Sequence, residues 1–509
     1  MNQVIIKFKK YSRNKFIFSI LVLTIIVIGV LLRAQETITN NFLFLIDQGR
    51  DMLAVKNIVF NHHLTLIGPY TSLGGVFQGP IWYYLLAIPT FILNGDPLGG
   101  EILMLIISIS TILLAFYFMY ILFGKKAAII TLFLFAVSPE AVAAATYVWN
   151  PHPMWLLIVL YIFSLFKAIQ GKKKWYVVVW LTLGLMFNFE AALAIFILLS
   201  FIIYIIIFER KAIRSRLFLS GLILFVLLFA PQILFELRHN FLMTRSVLDT
   251  FLGQNHGLFV KGENKGYLDL VISHLQAFYN NFQTAFVKLD YFSYLQVLFL
   301  FIFAGIGIFY KKIKCFSEKE KIFISLIFKS VLFVYILSFF YPFPIRYWFL
   351  TGFQGFYIIF MGLVLSKFWN KSLGKILLTI LIVFILTQTV WRINEIYSSK
   401  DLGGVSKIRG KLEVINYIYK DANSKNFGLL IFTPPVYTYA YDYLLWWYGE
   451  RKYNYLPYQE KKGITYLLIE PDPGQPWSYK GWLETVIKNG TILKTVSLPS
   501  GFIVQERKY

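Results

Sequence analysis

Uncharged apolar runs long enough to fill a lipid bilayer recur through the first 390 residues of this 509-residue chain, and they constrain its fold more than any other feature. Phe16–Leu32, Ala127–Val137 and Leu217–Ala230 contain no charged side chain. A run approaching 20 apolar residues spans a hydrocarbon layer of about 30 Å only as a helix, because the layer offers no water to satisfy peptide groups. Composition agrees: 58% of the residues are hydrophobic and 15% charged, where a soluble chain carries roughly a quarter charged. Mean hydropathy is +0.63. The expected fold class is a polytopic α-helical membrane protein.

A formal net charge of +23 would suggest nucleic acid in a soluble domain. Here the cations sit in short clusters between apolar runs, among them Lys7, Lys9, Lys10, Arg13 and Lys15, then Lys125 and Lys126, then Lys172 to Lys174. Others are Arg210, Lys211, Arg214 and Arg216; Lys311, Lys312 and Lys314; and Lys367, Lys371 and Lys375. Cytoplasmic loops carry this excess, so the charge reports topology and no nucleic-acid partner is expected. No small-residue cleavage site follows Phe16–Leu32, which reads as a retained first helix rather than a signal peptide. The single cysteine, Cys315, excludes an intrachain disulfide and a thiolate metal cluster.

Placing every basic cluster inside gives about 11 transmembrane helices, near 16–33, 99–123, 127–147, 153–170, 175–188, 191–208, 217–235, 291–310, 322–341, 347–366 and 375–391. The apolar segment 81–94 is too short for a comfortable crossing and would put Lys125 and Lys126 outside, so it reads as juxtamembrane or re-entrant. Outer loops are expected at about 34–80 and 236–290, the latter polar at its centre from Gly253 to Gly266. The N-terminus is then cytoplasmic. Residues 1–391 form the membrane module, and 392–509 a soluble α/β domain on the outer face. In that domain the pattern predicts a helix over 408–420, strands at Gly428–Thr433, Ile464–Ile469, Thr491–Val496 and Phe502–Gln505, and a helix over Trp477–Ile487.

Candidate chemistry concentrates on the outer side. The first loop holds Asp47-Gln48-Gly49-Arg50-Asp51, and a helix begun by Asp47 would place Asp47 and Asp51 on one face. Either carboxylate could accept a proton from a substrate at the membrane surface; equally, Asp47 could cap a helix beside an ion pair. Further on, Gly74-Gly75-Val76-Phe77-Gln78-Gly79-Pro80 leads into Ile81-Trp82-Tyr83-Tyr84-Leu85-Leu86. Those aromatics suit a bilayer interface, which leaves the Gly/Pro-rich approach unexplained. Glu190 stands between two apolar runs, where an ionisable group is costly and suggests function, or else sits in headgroup water. Glu140, after Ser138-Pro139, is similarly ambiguous. Arg346 could grip a phosphate bidentately or snorkel to lipid phosphates, and Arg238, His239 and Arg245 could add positive charge or merely border a loop. The adjacent His62 and His63 point apart in any regular element, and no metal is expected.

The order of these features is familiar. A basic first helix, an acidic outer loop, the Pro80-to-Leu86 segment, Ile121-Leu122-Phe123-Gly124-Lys125-Lys126-Ala127-Ala128 before a helix ending in Ser138-Pro139, and Pro344-Ile345-Arg346-Tyr347-Trp348-Phe349 follow one another. Over about residues 10–370 the chain resembles the C-superfamily of integral membrane glycosyltransferases (GT-C), close to the protein O-mannosyltransferase and lipid A aminoarabinose transferase branch. It departs where many relatives have His-Pro-Pro, here Gln78-Gly79-Pro80, and Arg-Pro-Asp, here Asn150-Pro151-His152.

The resemblance implies transfer of a sugar from a polyprenyl-phosphate donor to a protein, lipid or glycan acceptor, with inversion, at the outer face of the cell (inner) membrane. It implies Asp47 as catalytic base with Asp51 as the alternative, and substrate contacts from Arg50, Tyr83, Glu190, Arg346 and Tyr347. No cofactor or metal is implied beyond the lipid-linked donor, and membrane lipid is the other expected partner. A transporter or lipid flippase, and an inactive sensor or scaffold, are the competing classes; the first lacks the internal repeats and midplane half-helices usual in transporters.

Overall fold

The computed structural model describes residues 2–252, 266–287, 294–398, 403–423, 425–434 and 436–509, with side chains from residue 15 onward. The polar centre of the second outer loop, residues 291–293 of the expected eighth crossing and the side chains of the first basic cluster up to Arg13 lie outside the described residues.

The chain opens with α1 (Asn2–Thr39), the loop helix α2 (Ile46–Val59) and the short α3 (Ile81–Ile92). A bundle follows: α4 (Leu98–Phe123), α5 (Lys125–Val137), α6 (Pro139–Ala143), α7 (Met154–Ile169), α8 (Trp175–Phe189) and α9 (Ala191–Phe208). Next come α10 (Arg216–Leu227), α11 (Ala230–Arg238), α12 (Leu242–Phe251), α13 (Tyr267–Thr284) and α14 (Leu295–Phe309). The helical part closes with α15 (Glu318–Ser338), α16 (Gln354–Phe368) and α17 (Ser372–Ser398). Among the described residues six helices are long and apolar enough to cross a bilayer (α1 from Lys15, α4, α9, α14 with the turn that follows it, α15 and α17), or seven if α10 and α11 form one span. The chain is thus a multi-pass membrane protein.

Several elements are shorter than the sequence pattern suggests. The expected helix 127–147 stops at Val137, where Ser138 turns to ψ 122° ahead of Pro139, and residues after Ala143 run as turns. Proline disfavours the α conformation in its predecessor and donates no hydrogen bond. The run 217–235 is two helices bent by 44°, with Pro231 in the first turn of the second. The expected span 347–366 starts as a 3-10 turn over Tyr347–Leu350 before α16. Helices α7, α8 and α16 have 16, 15 and 15 residues, about 23 Å at 1.5 Å per residue. With 12 residues, α3 is about 18 Å long, well under the bilayer thickness.

One buried cation ties the bundle together. The early end of α5 leaves carbonyls without helical partners. Arg33 of α1, fully buried, donates to the Ala136 and Phe135 carbonyls at 2.7 and 2.9 Å, to Ser108 of α4 at 2.9 Å and to Gly29 at 2.9 Å. A guanidinium surrounded by carbonyl acceptors at a helix C-terminus is favourably placed against the helix dipole. Its removal would leave these groups unsatisfied in an apolar setting.

The C-terminal part holds a four-stranded sheet of order β1-β2-β4-β3, with β1 (Gly428–Phe432), β2 (Ile464–Ile469), β3 (Thr491–Ser497) and β4 (Ile503–Lys508). The first pair is parallel and the other two are antiparallel. The amphipathic α18 (Ile408–Asp421) covers one face through Val414, Ile415, Ile418 and Tyr419. The segment 478–487 covers the other through Trp482, Leu483 and Ile487. This part is fastened to the first loop: Leu43 bridges Lys407, Phe44 N–H donates to Ser406 at 3.0 Å and Ile408 N–H to Phe42 at 2.9 Å. Lys407 also pairs with Glu36 at 2.8 Å. The short α19 (Tyr439–Leu444) lies against α2, with Tyr443 donating to Gly95 at 2.6 Å.

Candidate functional site

Helix α2 places the acidic motif. Its N-cap is Leu45, whose N–H is taken by the Gln48 side chain at 2.8 Å, so Asp47 stands inside the first turn rather than capping it. There its charge is favoured by the positive end of the helix dipole. One turn on, Arg50 reaches both carboxylates: Asp47 at 2.9 Å through one terminal nitrogen, and Asp51 Oδ1 at 2.9 and 2.8 Å through Nε and the other.

The two aspartates are not equivalent. Asp51 is 1% exposed and its second oxygen accepts from the Trp82 indole at 2.7 Å, so both of its oxygens are engaged. Burial pushes its carboxyl above the ordinary range, against the pull of Arg50 and the indole. The Asp47 side chain keeps 30% exposure. Its oxygens make no hydrogen bond among the described residues beyond the Arg50 pair.

Tyrosines surround this pair. The Tyr83 hydroxyl lies beside Arg50, and burial raises it well above the usual phenol range. The Tyr70 ring lies 5.2 Å under the guanidinium; desolvation and the neighbouring Tyr439 hydroxyl push its hydroxyl up to about 12. Tyr437 stacks on Tyr439 at 5.3 Å. From the other side Tyr147 lies beside Gln48 and within electrostatic reach of both Asp47 and Tyr347. His152 fixes the Tyr147 backbone through a 2.6 Å contact of Nδ1 to its carbonyl oxygen. The structure thus brings Asp47, Arg50, Asp51 and Tyr83 together, with Tyr347 reaching this group only electrostatically through Tyr147, and adds Tyr70, Tyr147, Tyr437 and Tyr439, none of which the sequence motifs had singled out. Only Tyr147 carried a local signal, lying three residues before the Asn150-Pro151-His152 departure.

The remaining candidates form a neighbouring group. Glu190 is buried and caps α9, accepting from Ala192 N–H at 3.2 Å. The Ala191 N–H is satisfied by Gln78 at 3.0 Å, so a first-loop side chain completes that cap. Gly79 is required beside it, because a Cβ there would stand 1.8 Å from the Asn188 side-chain oxygen. Gln78-Gly79-Pro80 is therefore the seat of the first loop on the α8–α9 junction. Tyr341 lies within electrostatic reach of both Glu190 and Arg346. Trp82 joins the two groups, with its ring 6.4 Å from Phe189. Arg346 and Tyr347 are exposed at the start of the 3-10 turn. Among the described residues Arg238, His239 and Arg245 make no hydrogen bond or ion pair to either group, and Glu140 is half-buried at the start of α6. No group of three His, Cys, Asp or Glu among the described residues is placed to hold a metal ion.

Residues 78–235 match the family model described as dolichyl-phosphate-mannose-protein mannosyltransferase. This segment begins at the Gln78 cap, includes Tyr83, Tyr147 and Glu190, and ends in α11. Over this segment the chain is similar to that family. No curated protein matches it by sequence. Among solved structures it is similar to ArnT from Cupriavidus metallidurans bound to undecaprenyl phosphate, at TM-score 0.45 and 10% identity over 97% of this chain and 98% of that one. It is also similar to the archaeal oligosaccharyltransferase AglB from Archaeoglobus fulgidus in complex with an inhibitory peptide and a dolichol-phosphate, at TM-score 0.49 and 13% identity over 97% and 74%.

Proposed function

We propose that this chain transfers a sugar from a polyprenyl-phosphate donor to an acceptor at the outer membrane face, in one inverting displacement. The observation that carries the reading is the division of labour between the two aspartates. Asp51 is buried and spends both oxygens on Arg50 and Trp82, whereas the Asp47 side chain stays 30% exposed, held by Arg50 alone and within electrostatic reach of Tyr147. Asp47 acts as the base that takes the proton of the acceptor nucleophile, and Asp51 holds Arg50 in place. Phosphate is already a good leaving group, so no general acid is needed. Arg346, with Tyr347 beside it, stabilises the charge developing on the departing lipid phosphate. Glu190 and Tyr83 line the donor side, and a single displacement predicts inversion at the anomeric carbon.

The orientation belongs to the same proposal: N-terminus cytoplasmic, first loop and C-terminal sheet outside. Purified protein, given a panel of polyprenyl-phosphate sugars, should release sugar from at least one. Arg346→Ala should weaken donor binding, because it removes a phosphate contact from ground and transition states alike. A wild-type protein inert toward every donor in the panel would sink the reading.

A further inference from the structure

One edge of the C-terminal sheet is β1, which pairs with β2 on one side only. Its odd-numbered residues turn their peptide groups the other way. There Leu429 N–H donates to the Tyr458 carbonyl at 2.7 Å, and Tyr458 N–H to the Phe427 carbonyl at 2.9 Å. Tyr458 thus acts as one residue of a parallel strand, bridging Gly428 before its chain turns away. Past it, the Leu429 carbonyl, the N–H and carbonyl of Ile431 and the Thr433 N–H have no hydrogen bond among the described residues. The Thr433 carbonyl closes this stretch by accepting from Val436 at 2.9 Å.

Acceptor, donor, acceptor and donor therefore follow one another at strand spacing, the row that another extended main chain complements. Water satisfies such groups as well, so the wall beside them has to name the ligand. A cavity of about 440 Å³ lies against this edge, with Ile431, Leu445, Trp446, Leu456 and Asp442 in its wall. Opposite residues of neighbouring strands share a face, so a residue added across from Ile431 would turn its side chain into the cavity. Asp442 is half-buried there; Thr438 donates to one of its oxygens at 2.9 Å, and the other has no bonded partner among the described residues. Burial pushes this carboxyl above the ordinary range with no neighbouring cation to offset it. Lys56, the cation of the same wall, sits over the Trp446 ring at 4.5 Å.

We propose that the β1 edge and this cavity form a docking groove for an extended segment of a partner polypeptide, which adds as a further strand and presents a lysine or arginine to Asp442. Main-chain bonds give affinity in this mode of recognition, and the side-chain pocket gives specificity. The groove is separate from the proposed reaction centre. Lys56 and Asp47 are nine residues apart on α2, about two and a half turns, so they stand on opposite faces of the helix. The bound segment leaves the base open, and the inference goes beyond the sugar-transfer reading without depending on it.

Full-length protein in nanodiscs would be applied to an array of random 12-residue peptides, and the best binder titrated as a free peptide. Binding is expected to hinge on one Lys or Arg, whose replacement by norleucine should lower affinity at least tenfold. Asp442→Asn should weaken the basic peptide equally and leave the norleucine peptide unaffected. Whichever way the added strand runs, two of its N–H groups, two residues apart, meet the Leu429 and Ile431 carbonyls. N-methylation at either should cost at least tenfold, and at the residue between them far less. Ile431→Pro removes an outward N–H at an edge position that tolerates proline, and should weaken binding with an unchanged Tm. An array without a bound peptide overturns the proposal. So does binding indifferent to N-methylation, or binding that survives both Asp442→Asn and Ile431→Pro.

Discussion

At the scale of single residues, the two aspartates of α2 separate a chemical role from a structural one. Asp47→Asn keeps size and hydrogen-bonding capacity but removes the proton acceptor. Turnover should fall by about a hundredfold or more with donor binding intact, as single-turnover kinetics and lipid-donor titration would show. Asp51→Ala should behave differently, because it leaves Arg50 partly buried with only Asp47 to balance it. Breaking a buried pair costs about 3–5 kcal/mol, and the lower end applies here because Asp47 remains. The variant should show a lower Tm and lose donor binding and turnover together. If Asp51→Ala proves as stable as wild type while Asp47→Asn stays active, the roles are reversed or absent.

Among the elements, the junctions carry the most specific information and were the least legible in the sequence. Hydropathy and basic clusters located most helices, since a bilayer imposes length and composition locally. The four strands were readable from short β-rich runs, within three residues at each end. Pro139 was visible too, yet the apolar run across it suggested one continuous helix, whereas local proline sterics end α5 at Val137. Contacts between distant segments left no trace: nothing near Gly49 announces Ala440, and nothing near Arg33 announces the carbonyls of Phe135 and Ala136. Gly49 offers the sharpest test of such a junction. A Cβ there would stand 2.2 Å from the Ala440 backbone nitrogen, so Gly49→Ala must push α19 off α2. Overpacking of this kind costs about 1–3 kcal/mol. Tryptic cleavage at Arg451, which bonds to the Asn94 carbonyl and flanks Trp446, should quicken in the variant. An unchanged cleavage rate would mean that the packing of α19 on α2 is dispensable.

For the whole molecule, the alternation of basic clusters with nearly uncharged turns predicts which parts face outward. A cysteine placed at Asn423, exposed at the end of α18, should react with a membrane-impermeant maleimide in intact cells, while the exposed native Cys315 should not. Labelling of Cys315 alone would invert the topology. The clasp between Leu43 and Lys407 bears on how such a molecule is made. Its two strands are separated by most of the chain, and Tyr439 likewise meets Tyr70 only across the fold. The first loop therefore emerges from the ribosome long before the partners that give it shape. During most of its synthesis the inserted protein holds an acidic loop without its second wall, and it is expected to be inert toward the lipid around it. Maturation is then coupled to completion: a chain that stalls or is clipped before residue 403 stays in the membrane as a bystander rather than an unregulated enzyme.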